Sequence, residues 1–343
     1  MRDIHEVLDV ITLKREQSSV LATIIDVKGS AYKKEGAMML FTEDGRQAGM
    51  LSAGCLEEDL AARIALQHYQ VKTEVITYDM RNADEWSWGE GSGCNGVITI
   101  LIEPVTANMR HYFMELNRVM QEGFAVTMIK TIPSNVACEE TVFFQVENGH
   151  VFGDDSKEKP NEFARYIKQS DRKGNGIKES GCYVQYFQAK PRLIIYGAGR
   201  DAEPLVEFAS KTGFAVTIAD WRQARCQQEV FPTAERIVLG FPEEVIKEIE
   251  VNEKDYVVLM SHSFRKDKEI IQQLSGKKMR YFGILGSLKR TKRLFAGKDI
   301  PSTITSPIGL SIDAEGPEEI AISVVAELVK LSERSRDRKV RAS

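Results

Sequence analysis

The chain has 343 residues, enough for about two domains with a core each. With 46 basic and 50 acidic residues the formal net charge is −4, which argues against a general nucleic-acid binder. No run approaches the roughly 18–20 uncharged apolar residues that span a bilayer, so no bilayer-spanning helix and no membrane partner are expected. Met1 to Glu6 carries acids and no apolar stretch, so no signal peptide is expected and the chain reads as cytoplasmic.

Ile4, Val7, Leu8 and Ile11 keep helical spacing and predict a short amphipathic helix. Ser19 to Val27 and Ala37 to Phe41 are apolar and predict strands, with a hairpin-like turn at Glu43-Asp44-Gly45. Leu56, Leu60 and Ile64 recur every four residues after Ser52-Ala53-Gly54-Cys55, and Glu57, Glu58 and Asp59 sit in the first turn where the helix dipole favours acids. Val71 to Tyr78 and Val97 to Ile102 predict strands on either side of a loop rich in glycine and tryptophan. Further on, Met109 to Met120 reads as a helix, Ala125 to Thr131 and Thr141 to Val146 as strands, and Asp171 to Ser180 as a polar loop.

From Ala189-Lys190-Pro191 onward the pattern becomes strand, turn, helix, strand, repeated. Its short apolar strands are Arg192 to Tyr196, Phe214 to Ala219, Arg236 to Leu239, Tyr256 to Met260 and Tyr281 to Leu285. Such alternation predicts a Rossmann-like, doubly wound parallel sheet. A helix from Pro317 to Lys330 closes it, with Ile320, Val324 and Leu328 on one face. The expected fold class is therefore α/β, in four stretches: an α/β domain over 1–105, its α/β extension over 106–188, the Rossmann-like domain over 189–333, and a basic solvated tail over 334–343.

Leu193 to Tyr196 runs into Gly197-Ala198-Gly199-Arg200-Asp201-Ala202, a GxGxxA turn. Gly197 allows the tight turn, Gly199 the close approach of a pyrophosphate, and Ala202 the packing of helix on strand. Asp220 ends the next strand, 23 residues after Gly197, where a carboxylate can accept hydrogen bonds from a ribose. Three readings stay open: NAD(P), another nucleotide or phosphorylated ligand, or a scaffold without one. Trp221 and Arg222 would crowd or pair an adenosine end. His262-Ser263 and Gly286-Ser287 follow later strands at their carboxyl ends, where open α/β sheets place ligands. His262 is thus a candidate acid–base, with a plain loop residue as the alternative.

Five cysteines (Cys55, Cys94, Cys138, Cys182, Cys226) are too few and scattered for a disulfide framework, and no CxxC pair suggests a zinc site. Cys55 opens a helix, where backbone N–H groups can stabilise a thiolate while the neighbouring acids oppose it; a small buried cysteine under the helix is the alternative. Cys94 lies in Gly89-Glu90-Gly91-Ser92-Gly93-Cys94-Asn95-Gly96, whose glycines let N–H groups approach an anionic or flat polar ligand beside Trp86 and Trp88. A flexible turn is the bland alternative. Two cysteines in glycine-bearing turns, with no histidine near, suit soft-metal or sulfur chemistry better than a Cys–His nucleophile.

Gly29-Ser30-Ala31-Tyr32, the Gly49 to Asp59 segment, Gly93-Cys94-Asn95-Gly96 and Glu103-Pro104 together resemble the XdhC/CoxI family. So do Asp220-Trp221-Arg222, Ser261-His262-Ser263 with Asp267, Gly283-Ile284-Leu285-Gly286-Ser287 and Pro317-Glu318-Glu319-Ile320-Ala321. One departure is Ala53, where the family pattern carries a second glycine. The resemblance implies an XdhC/CoxI-type N-terminal domain and a C-terminal Rossmann domain. It implies a maturation factor that binds molybdenum cofactor (molybdopterin), holds it during sulfuration by a cysteine desulfurase, and delivers it to apo-xanthine dehydrogenase in purine breakdown. Cys55 and Cys94 would lie at the cofactor as molybdenum contacts or sulfur carriers, with Gly54, Gly93 and Gly96 shaping the approach. Rival readings are an NAD(P)-dependent oxidoreductase built on Gly197, Gly199 and Asp220, and a non-catalytic component of a xanthine dehydrogenase complex. The dehydrogenase itself is a poor fit, because two [2Fe–2S] clusters would take eight cysteine ligands. A homodimer is expected from base rates alone.

Overall fold

A largely apolar strand needs cover on both faces, and the first part of the chain provides it with two helices and a second sheet on one side and a further helix on the other. The computed structural model describes residues 2–13, 17–81, 96–132, 141–154, 175–178 and 181–341. The chain divides into two compact units, 1–189 and 190–343.

The first unit begins with α1 (Arg2–Leu13), β1 (Ser19–Gly29), β2 (Met38–Thr42), β3 (Gln47–Gly49), α2 (Cys55–Leu66), β4 (Glu74–Asp79) and β5 (Gly96–Pro104). It continues with α3 (Ala107–Gln121), β6 (Val126–Thr131), β7 (Val142–Val146), β8 (Val151–Gly153), β9 (Gly176–Ile177) and β10 (Cys182–Phe187). Two antiparallel sheets result, in the orders β3-β2-β1-β5-β4 and β8-β7-β6-β10-β9. Along central β1, Leu21 and Ile25 face a core shared with Val7 and Leu8 of α1, Phe113 and Leu116 of α3, and Phe144 of the second sheet. Val20, Ala22 and Ile24 face the other way, against Leu56, Leu60 and Ile64 of α2. A continuous apolar run, usually the mark of a parallel strand, here belongs to an antiparallel one because the unit is layered on both sides.

The two sheets of this unit are also joined by an ion pair. Glu103 of β5 and Lys130 of β6 are both buried, and the Lys130 ammonium donates to the Glu103 carboxylate. At the head of α3, the Thr106 hydroxyl caps the helix by accepting from the Met109 N–H at 3.2 Å.

The second unit contains β11 (Arg192–Tyr196), α4 (Ala202–Lys211), β12 (Ala215–Asp220), β13 (Arg236–Leu239), α5 (Pro242–Glu248) and β14 (Tyr256–Leu259). It ends with α6 (Phe264–Leu274), β15 (Tyr281–Ile284), α7 (Leu288–Leu294), β16 (Ile304–Thr305) and α8 (Gly316–Arg341). The sheet is parallel throughout, in the order β13-β12-β11-β14-β15-β16, as a doubly wound fold requires. Leu193 and Ile195 face Leu205 of α4 and Val324 and Leu328 of α8, while Ile194 and Tyr196 face Val245 of α5 and Ile270 of α6. The strand order reverses between β11 and β14, which places the ligand crevice of such sheets at their carboxyl ends. α8 runs on to Arg341 instead of stopping near Lys330, since no glycine or proline follows Pro317 to break it. Among the described residues, no helix is long and apolar enough to cross a membrane.

Breaking the inter-sheet pair from one side leaves a buried charge. Glu103→Ala is expected to destabilise the first unit by about 3 kcal/mol, read as a lower denaturant midpoint at unchanged slope. The double replacement Glu103→Leu with Lys130→Met is expected to recover most of that loss.

Candidate functional site

The first candidate site is the turn that leads into α2. Gly54 has φ 130 and ψ −40, a conformation only glycine adopts cheaply, and a Cβ added there would meet none of the described residues within 4 Å. Gly54 itself is half-buried. The turn is held from beneath by Glu57, which is only 9% exposed. One Glu57 oxygen accepts the N–H groups of Leu51 at 3.0 Å and Ser52 at 2.6 Å. The other accepts the Ser52 hydroxyl and, at 3.2 Å, the Gly54 N–H. The Ser52 hydroxyl oxygen accepts in turn from Gly54 and Leu56, at 3.2 and 3.3 Å. Burial alone would raise the Glu57 pKa, but the Ser52 hydroxyl and the Ser52 and Leu51 N–H groups outweigh it and hold the carboxyl below its ordinary value. Asp59, just past the first turn, accepts from Tyr78 Oη at 2.5 Å and Arg63 Nε at 2.8 Å.

The Cys55 backbone is the first residue of α2. Cys94 and Gly93 lie outside the described residues, as do Trp86 and Trp88. Gly96 has a packing reason to be glycine: it pairs with Gly29, and a Cβ there would stand 2.6 Å from the Ser30 carbonyl oxygen and 2.7 Å from that of Lys28. Ala53 is exposed, so its methyl group takes up surface, not core.

The second candidate site is the carboxyl edge of the parallel sheet. Gly197, at φ 121, passes so close to β14 that a Cβ would lie 2.5 Å from the Met260 carbonyl. Ala202 is fully buried and packs α4 onto the sheet. The Asp220 side chain is fully buried too, and its four acceptor positions are filled. Oδ1 takes the Arg222 N–H and Nε, both at 2.8 Å; Oδ2 takes the Ala198 N–H and Arg222 Nη2, both at 2.7 Å. Burial works against the Asp220 charge, yet Arg222 and the N–H groups of Ala198 and Arg222 hold its pKa below the usual carboxylate value. Arg225 donates to the carbonyl oxygens of Ala198 at 2.7 Å and Gly199 at 3.1 Å. Trp221 is flanked by cations, with Arg222 at 5.1 Å and Lys266 at 5.7 Å from its ring centre.

Across the switch point, exposed His262 has φ 58, a left-handed conformation that is costly for a non-glycine residue. Its Nε2 lies 2.6 Å from Asp201 Oδ2. Next to it, the Ser261 hydroxyl donates to fully buried Asp267, whose other oxygen accepts from Arg290 of α7 at 2.5 Å. The structure thus brings Gly197, Gly199, Asp220 and His262 to one edge. Sequence reasoning does not single out Glu57, Ser52, Asp201 or Arg290 as site residues. For Asp201 there was a signal, an acid inside a phosphate-type turn; for Glu57 it was an acid three residues after the helix-opening Gly54, placed to accept its N–H.

Comparisons with known proteins bear on both sites. Residues 12–79 match the model of the XdhC and CoxI family, residues 107–188 that of the BH1974-like central domain, and residues 193–328 that of the XdhC Rossmann domain. A Bacillus subtilis (strain 168) protein described as a probable xanthine dehydrogenase subunit is 40% identical over 334 residues, covering 97% of this chain and 99% of that protein. The molybdenum cofactor insertion chaperone PaoD of Escherichia coli (strain K12) is 23% identical over 336 residues, 94% of this chain and 86% of that protein. A crystal structure described as a xanthine dehydrogenase from Bacillus halodurans is 41% identical with a TM-score of 0.83, over 98% of this chain and 97% of that one.

The Glu57 carboxylate makes the first site sensitive to acid. Glu57→Gln is expected to cost about 1–3 kcal/mol of stability at pH 7. Because the folded pKa lies below 4.5, the stabilisation is fully present above that value and is lost as pH falls through the folded pKa. The difference in unfolding free energy between wild type and variant should therefore close in acid, as followed by denaturant titration. A difference that persists unchanged at low pH would show that the carboxylate charge is not its source.

Proposed function

The chain belongs to the XdhC and CoxI family, and from that membership we propose that it is an accessory factor carrying molybdenum cofactor to a xanthine dehydrogenase. The name of its relative PaoD, a molybdenum cofactor insertion chaperone, supports this reading. The observation that carries it is the open turn at Gly54, rigidly held by Glu57 at the head of α2.

The cargo presents a molybdenum with dithiolene sulfurs, a flat pterin and a phosphate. The Gly54 and Leu56 N–H groups are already taken by Ser52 and Glu57, so what the turn offers a ligand is close backbone approach at a glycine. The opposition that nearby acids pose to a Cys55 thiolate is partly offset, since the Glu57 and Asp59 carboxylates each accept from several donors, while Glu58 of the first turn is exposed to solvent. Cys55 is then the soft contact to molybdenum or the carrier of a sulfur, and Cys94 with Gly93 completes the site from the second loop. Sulfuration by a cysteine desulfurase and transfer to the apo-dehydrogenase follow on the carrier. The chain's own residues supply binding and orientation; the redox chemistry belongs to the client enzyme.

Anaerobic equilibrium binding tests this on the full chain, with bound cofactor quantified as its fluorescent oxidised pterin. Wild type is expected to bind stoichiometrically, with affinity weakened by about tenfold or more in Cys55→Ala and in Cys94→Ala, in line with the loss of one metal contact. If both variants bind and support maturation as wild type does, the cysteine assignment is wrong. If wild type itself does not bind, the carrier reading fails.

A further inference from the structure

We propose that Asp201 is a specificity-determining residue of the Rossmann unit: its carboxylate occupies the phosphate place on the glycine turn, His262 holds it there, and dinucleotides are thereby refused. The proposal does not depend on the molybdenum reading.

In a GxGxxA turn the second glycine leaves room for a ligand phosphate, which the helix N-terminus then attracts. At Gly199 that room is taken. A Cβ built there would stand 2.2 Å from Asp201 Oδ1, so the carboxylate lies directly over the glycine. Helix capping does not account for this placement. Aspartate at an N-cap ordinarily accepts from the first turn, but Asp201 has helical angles of −70° and −17° and its side chain makes no capping bond. The side chain turns instead towards His262, whose Nε2 stands 2.6 Å from Oδ2. His262 reaches it from the end of β14 with its backbone in the left-handed region at φ 58. A strained residue and an uncapped helix thus meet in one contact across the switch point.

The second half of the dinucleotide fingerprint is closed as well. A ribose would need acceptor capacity on Asp220, and all four of its acceptor positions are filled by Arg222 and the N–H groups of Ala198 and Arg222. Arg225, which would otherwise face a diphosphate, is engaged by the Ala198 and Gly199 carbonyls and by Glu203. The site therefore sets a negative charge where the dinucleotide brings its own, and leaves no free acceptor on Asp220 where the ribose brings hydroxyls.

The experiment is calorimetric titration of the full chain with NAD⁺, using wild type, Asp201→Asn, Asp201→Ala and His262→Ala. Asn keeps the size and removes the charge; Ala removes both. His262 is exposed, so its replacement leaves the core intact and only frees the carboxylate to swing away. Wild type is expected to show no saturable binding. Both Asp201 variants should bind NAD⁺ at least about tenfold more tightly than any limit set for wild type, and His262→Ala should gain less. The proposal is overturned if wild type binds NAD⁺ and Asp201→Asn binds no better, or if neither Asp201 variant gains binding while both melt cooperatively. Neither result touches the molybdenum cargo, which is measured with a different probe.

Discussion

A buried carboxylate that gathers backbone N–H groups fixes the geometry of both candidate sites. Glu57 does so in the first unit, tying Leu51, Ser52 and Gly54 to the first turn of α2. Asp220 does so in the second, tying Ala198 of the glycine turn to Arg222 after β12. In each case burial penalises the charge and the donors more than compensate, so the carboxyl stays ionised at neutral pH. Such a group is costly to strip of its partners, which makes the surrounding turn stiff. Stiffness matters at Gly54 because its φ of 130 is not one that a loose loop would hold.

The same device has opposite consequences in the two units. At Gly54 the carboxylate lies beneath the turn, and apart from the chain neighbours no described residue stands within 4 Å of a Cβ built there. At the parallel sheet, Asp220 is bonded to Arg222 and Ala198, and Asp201 lies over Gly199 against His262. The Rossmann unit thus keeps the topology of a nucleotide binder while its loops are tied to one another.

Much of this was legible in the sequence. The βα alternation after Lys190 gave away the parallel sheet, and Leu56, Leu60 and Ile64 gave away α2, because burial on one face writes its period into the chain. The GxGxxA turn and the acid after the second strand fall where expected. What escaped depends on tertiary contacts. Glu57 reads as an acid placed for the helix dipole, but its main partners lie upstream of the helix. β10 was hidden because Gln185 interrupts its apolar pattern; fully buried, it donates to the Gly36 carbonyl at 3.1 Å and accepts from Tyr183 at 2.7 Å. Gly96 reads as one more loop glycine, yet it belongs to a strand and is small because neighbouring carbonyls crowd it. The role of Asp201 rests on a contact with His262, 61 residues away, which no local pattern announces.

The central claim is delivery, and transfer tests it most directly. Cofactor-loaded full chain and an equal amount of free molybdenum cofactor would each be mixed with apo-xanthine dehydrogenase, and recovered activity followed over time. The account predicts faster and more complete recovery from the loaded chain, with the carrier emptied of pterin as the enzyme fills. Recovery no better than with free cofactor, or cofactor that stays on the carrier, would contradict it.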